Sequence, residues 1–179
     1  MGQLGEHLSE AGLNRARIQV EIEWLIHLAN RDLLGTNNPI LKPEAETLRA
    51  VVTNFSDDDV ATLAQTEATT KHDVKAVEYF IRDKLAEINR GDLAELTHFG
   101  CTSEDINNLS YAITVRDAVK DVWLPKAEAL LAKLNELAHK YVSVPMLSRT
   151  HGQPATPTTM GKELQVFVHR LRRQIERIE

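Results

Sequence analysis

"SEDINNLSYAITVRDAVKDVWLPKAEALLAKLNELAHKY", residues 103–141, reads as helix throughout, and its apolar spacing decides the fold class. Val119, Trp123, Ala127, Leu130, Leu134, Leu137 and Tyr141 recur at steps of three and four, close to the 3.5-residue period of bundle helices. Pro125 lies inside this run. It removes one backbone hydrogen bond and crowds the preceding turn, so a kink is expected there rather than an end, because the stripe continues past it. Further on, Met160, Leu164, Phe167, Leu171, Ile175 and Ile178 predict a second helix that meets no cap or breaker. Two such stripes cannot cover each other in a helical hairpin. They call for further helices or subunits, and self-association is the simplest way to bury them.

Upstream the helices are shorter. Leu13, Ala16, Val20, Trp24 and Leu28 mark an amphipathic helix stopped by "LLGTNNP", with Gly35 and Pro39. "KPEAETLRAVVTNF" has proline in a first-turn position, and Ser56 followed by Asp59 is a capping arrangement for the next helix. Val74, Val77, Ile81 and Leu85 give a further helix, ended at "RGDL" before a short turn, "LAELTHFG". No segment reads with strand period. The expectation is an all-α protein: a helical domain over 1–100, then the long helices of a truncated central bundle over 101–179.

Composition limits the function classes. The 179 residues are 42% hydrophobic, enough for one fair-sized core or two small ones. Acidic residues outnumber basic ones, 26 to 21, and no basic cluster is interleaved with aromatics, so a nucleic-acid surface is not expected. No apolar run reaches bilayer-spanning length and no secretory leader pattern opens the sequence, so no membrane role is expected. Cys101 is the only cysteine, which excludes an intrachain disulfide and fits a reducing compartment such as the cytoplasm.

Three polar islands interrupt the helical text at helix boundaries: "TTKHDVKA" (69–76), "CTSEDINN" (101–108) and "SRTHGQPATP" (148–157). Helix N-termini offer unpaired N–H groups and a positive partial charge, so hydroxyl-rich segments there can hold carboxylates or phosphates. Capping is the plainer reading of the second island, with Thr102 or Ser103 as cap and Glu104 and Asp105 in the first turn. His72 with Asp73 can likewise be a histidine satisfied at a helix start. His98 and Cys101 have a spacing that a metal could use, but two ligands do not make a site. The third island is more constrained than a connector needs to be: Pro154 and Pro157 suppress helix, Gly152 permits unusual dihedrals, and His151 can exchange protons near neutral pH.

Taken together, "TTKHDVKAVEYF", "CTSEDINNLS" and "LSRTHGQPATP" resemble the adenylosuccinate lyase family of the fumarase and aspartase superfamily, in its bacterial wording and over nearly the whole chain. Argininosuccinate lyases and fumarases carry different wording at these places. The resemblance implies a β-elimination releasing fumarate from a succinylated purine nucleotide or its precursor, with no cofactor and no metal. It makes His151 the general acid, and Lys71, His72, Asp73, Thr102 and Ser103 substrate-binding residues. Position 71 is lysine where the familiar bacterial pattern often has asparagine. Arg149, Gln153 and Lys162 are bystanders or supports. It also implies a homotetramer that pools its long helices, each active site drawing its islands from more than one chain.

The family's catalytic serine lies on a "GSSxMPxKxNP" loop, and an early "SPVDGRY"-like segment contributes an Arg-Tyr pair; neither text occurs in this sequence. The expectation is an N-terminal fragment that does not turn over substrate alone. The competing reading is a helical association module whose islands are caps and which binds no ligand.

Overall fold

The computed structural model describes residues 2–32, 35 and 37–178. It is helical apart from one hairpin, in the order α1 (Gly5–Leu8), α2 (Glu10–Arg31), α3 (Lys42–Thr53), α4 (Asp57–Thr70), α5 (Asp73–Glu87), a 3-10 helix (Gly91–Leu96), α6 (Ser103–Ala118), a π-helical turn (Val119–Trp123), α7 (Leu124–Lys140), β1 (Pro145–Thr150), β2 (Gln153–Thr159) and α8 (Met160–Ile175). Among the described residues no helix is long and apolar enough to cross a membrane. The chain divides into two compact units on either side of the Ala118–Val119 bond. α6 belongs to the first of them because it packs on α1 and α2.

In the first unit, residues whose local chemistry favours helix starts are found at helix starts. Ser56 Oγ accepts the Asp59 N–H while the Asp59 carboxylate accepts the Ser56 N–H at 2.9 Å, the reciprocal cap read from the sequence. Pro43 occupies the first turn of α3. The core joins Ile18, Ile22 and Leu25 of α2 to Leu48 of α3, Leu63 of α4 and Val77, Ile81 and Leu85 of α5. The stripe read on α5 is the buried one. On α2 the expected stripe is buried at Ala16, Val20 and Leu28, but the helix is buried on most of its surface, and the face that enters the main core is Ile18, Ile22, Leu25 and Ala29. α2 ends at Asp32, in the left-handed region at φ +48°. Of the expected stop sequence, Leu33, Leu34 and Thr36 lie outside the described residues.

The helix expected over 103–141 runs without a break from Ser103 to Lys140, and its irregularity is a π-helical turn between two α-helical segments. Pro125 sits in the first turn of α7, immediately after that turn. The irregular hydrogen bonding therefore falls where a missing N–H and a ring clash would otherwise break the ladder. A correction concerns strands. The third island and its flanks form an antiparallel hairpin, with Pro145 opposite Thr159 and Thr150 opposite Gln153. Prolines suppress helix, but a two-stranded ribbon has outward N–H positions on both strands where proline costs no ladder bond.

Within the second unit, α7 and α8 pack together and the hairpin base is tied to the end of α7. The Met160 N–H donates to Val144 O and the Gly161 N–H to Tyr141 O, both at 2.9 Å. A Cβ on Gly161 would collide with Ala138 O and lie 2.6 Å from Val142 Cα. Helix propensity favours alanine over glycine by about 1 kcal/mol, whereas overpacking against backbone costs about 1–3 kcal/mol. The colliding atoms belong to the backbone of α7 and of the turn after it, so they cannot rotate away. Gly161→Ala is therefore expected to destabilise the second unit, read as a lower denaturant midpoint.

Candidate active site

The first two islands meet. His72 is the N-cap of α5: its Nδ1 accepts the Lys75 N–H at 3.2 Å. On its other edge, His72 Nε2 lies 3.4 Å from Ser103 Oγ, at the first residue of α6. Thr102 precedes Ser103, and its N–H donates to Asp105 Oδ2 at 2.7 Å, so Asp105, expected only as a first-turn charge, also satisfies a backbone donor at the helix start. Lys71 closes α4 in the left-handed region at φ +55°. Two helix N-termini thus converge, bringing an imidazole and a hydroxyl together with the partial positive charge of α5 and α6.

Asp73 is the electrostatic centre of this cluster. Its Oδ2 accepts from Arg17 Nη2 at 2.6 Å, and its Oδ1 accepts the Val74 N–H at 2.8 Å and lies 3.6 Å from His72 Nδ1. Partial burial alone would raise this carboxyl; the Val74 N–H, the Arg17 charge and hydrogen bond and the His72 ring together hold it below the ordinary range. Asp73 stays ionised.

A second polar pair ties α2 to the stretch of chain that precedes Ser103. Glu21 is fully buried and accepts the His98 N–H at 3.2 Å, while its Oε1 is 2.6 Å from His98 Nδ1. Burial drives the Glu21 carboxyl up, against the His98 hydrogen bond and charge. Burial, followed by the Glu21 and Asp105 charges, likewise pushes the Cys101 thiol up. His98 is thus engaged with Glu21, and the Cys101 thiol is held away from its thiolate form. A largely apolar groove of about 800 Å³ runs between α2 and α6, lined in part by Trp24, Ile106, Leu109 and Ile113. It is lined by none of the six expected site residues.

In the second unit, His151 and Gly152 are the two residues of the hairpin turn, at φ +50° and +76°. Positive φ at both positions defines the turn type whose twist suits a two-residue hairpin. His151 is exposed at this tip. Arg149 and Gln153 flank the tip on the two strands, opposite Pro154 and Thr150, and Lys162 pairs with Glu163 at 2.9 Å.

Sequence reading missed Arg17, Asn14 and Asn107, which hold the first cluster from beneath. A signal existed: Asn14, Arg17 and Glu21 are polar residues at steps of three and four, beside the apolar positions Ile18, Ile22 and Leu25, and all three are buried.

A family model described as Lyase matches residues 3–179. The chain is 43% identical over 172 residues to an adenylosuccinate lyase of Haemophilus influenzae, covering 96% of this chain and 38% of that protein. It is 44% identical over 171 residues to the adenylosuccinate lyase of Escherichia coli K12, covering 95% and 38%. Among solved structures, a fumarate lyase from Mesorhizobium sp. BNC1 matches with a TM-score of 0.75 at 21% identity, covering 98% of this chain and 38% of that one. The 3-carboxy-cis,cis-muconate lactonizing enzyme of Pseudomonas putida matches at 0.74 and 24%, covering 99% and 39%. At these identities the structures speak for the fold alone. The chain spans about 38% of the length of the curated relatives it matches.

Proposed function

The chain belongs to the lyase family, and on that premise we propose that it supplies part of the active site of an adenylosuccinate lyase. The reaction is a β-elimination. A base removes a proton from the carbon beside a carboxylate, the electron pair forms the fumarate double bond, and the carbon–nitrogen bond breaks. The departing nitrogen then takes a proton. His151 donates that proton. Lys71, His72, Asp73, Thr102 and Ser103 bind the anionic substrate, a succinylated purine nucleotide or its precursor. The observation that carries this reading is the contact between His72 Nε2 and Ser103 Oγ, which joins residues 31 positions apart at two helix starts.

The base is not assigned to any residue of this chain. Exposed apolar side chains on α7 and α8, Leu130 and Phe167 among them, support a bundle completed by further chain and by other subunits, in a tetramer. Residues 101–179 are its beginning, after a helical domain over 1–100. The lone cysteine supports a cytoplasmic setting.

The 179-residue chain is expected to bind ligand without turning it over. Titrating fumarate or AMP should shift the amide signals of His72, Thr102 and Ser103 while leaving distant amides unmoved. A helical module that only self-associates gives no localised response. Steady-state fumarate release above background by the purified chain would overturn the inactive-fragment part of the proposal.

A further inference from the structure

A buried guanidinium persists only where its N–H groups find acceptors. Arg17 is 5% exposed and has three. Its Nη1 donates to Asn14 Oδ1 on its own helix at 3.0 Å, its Nε to Asn107 Oδ1 on α6 at 2.9 Å, and its Nη2 to Asp73 Oδ2 on α5 at 2.6 Å. One planar fork thereby joins the first residue of α5 to the second turn of α6, the two helices whose starts carry His72 and Ser103. A lysine could satisfy one of these acceptors but not all three in their present directions.

The consequence lies in the His72 ring. A ring nitrogen that accepts a hydrogen bond carries no proton, and His72 Nδ1 accepts from the Lys75 N–H. The proton of the neutral ring is then on Nε2, the nitrogen that faces Ser103 Oγ. The competitor for Nδ1 is Asp73, whose Oδ1 is 3.6 Å away. A carboxylate at that distance would draw a proton onto Nδ1 if its charge were not already answered. Arg17 answers it.

We propose that Arg17 is a positioning residue: by engaging the Asp73 carboxylate it keeps His72 Nδ1 free to cap α5, which fixes the ring with its proton on Nε2 and makes it a hydrogen-bond donor toward Ser103 and toward an anionic group held beside it. The effect on substrate rests on the binding role proposed above for His72 and Ser103. The tautomer itself does not.

The test uses the ligand-free 179-residue chain labelled with 15N, with ring-nitrogen shifts read about two pH units above the ordinary imidazole pKa. In the unsubstituted chain, His72 Nδ1 should resonate as an unprotonated nitrogen and Nε2 as a protonated one. In Arg17→Met the two shifts should move toward each other as the second tautomer is populated, and Arg17→Met combined with Asp73→Asn should restore the original pair. Arg17→Gln, which keeps a neutral donor in the buried position, should shift in the same direction as Arg17→Met. A proton on Nδ1 in the unsubstituted chain overturns the proposal, as do unchanged shifts in a folded Arg17 variant. If neither Arg17 variant folds, the residue is structural and the proposal fails. A fumarate titration of the same samples separates this inference from the reading it builds on. Tautomer control by Arg17 without any fumarate response sinks the binding role alone, and a fumarate response with no dependence of the tautomer on Arg17 sinks this inference alone.

Discussion

Replacing His151 with asparagine in a full-length chain is expected to lower kcat by about 10²–10⁴-fold, the range that a positioned general acid contributes. Asparagine is the informative replacement because the residue sits at φ +50°, a region that asparagine adopts with little strain. The two-residue turn therefore survives, and the loss reads the imidazole rather than the hairpin. Asparagine can still donate a hydrogen bond, but it cannot release a proton to the leaving nitrogen. KM should change far less than kcat, since the residues assigned to substrate binding lie on other elements. Turnover at undiminished rate, measured as fumarate formation under saturating substrate, would remove His151 from the chemistry.

The turn that presents His151 shows where a single sequence can be read and where it cannot. Its prolines were legible as breakers of helix, yet breaking helix does not specify what replaces it. The hairpin lacks the apolar-polar alternation that marks most strands, since both its strands are largely exposed. The usable signal was the His151-Gly152 pair, two residues tolerant of positive φ between segments of similar length. Helix α5 is the opposite case. Val74, Val77, Ile81 and Leu85 are at most 1% exposed, because a helix packed on one side writes its buried face into the sequence. Helix α2 is enclosed on most of its surface and so has no single stripe to find.

The same distinction applies to the candidate site. Caps are local, and Ser56 with Asp59 could be read from four residues. The support beneath His72 is not local: Arg17 lies 56 positions from Asp73 and 90 from Asn107. No pattern within a helix-length window records such contacts. What the window does record is the anomaly of polar residues at Asn14, Arg17 and Glu21 along one helix face, which signals buried polar partners without naming them.

The largest loss of stability is expected from Glu21→Leu, about 1–3 kcal/mol for each polar group left unpaired, because removing one member of the pair leaves the other without a partner. Here the His98 backbone N–H loses its acceptor and the His98 ring loses its partner. Glu21→Gln should cost far less, since its amide can still accept the His98 backbone N–H and, presenting either its oxygen or its nitrogen, pair with the ring. The pair also has a calculable pH signature. Burial, reinforced by Glu78 and opposed by His98, raises the Glu21 carboxyl above its ordinary value of 4.5. A carboxyl raised by folding stabilises fully below that ordinary value, and the contribution is lost as pH rises through the raised one. Across that window the urea midpoint of the unsubstituted chain should therefore fall relative to that of Glu21→Gln, whose side chain does not titrate. A flat difference between the two would mean that Glu21 ionises as freely in the folded chain as in the unfolded one.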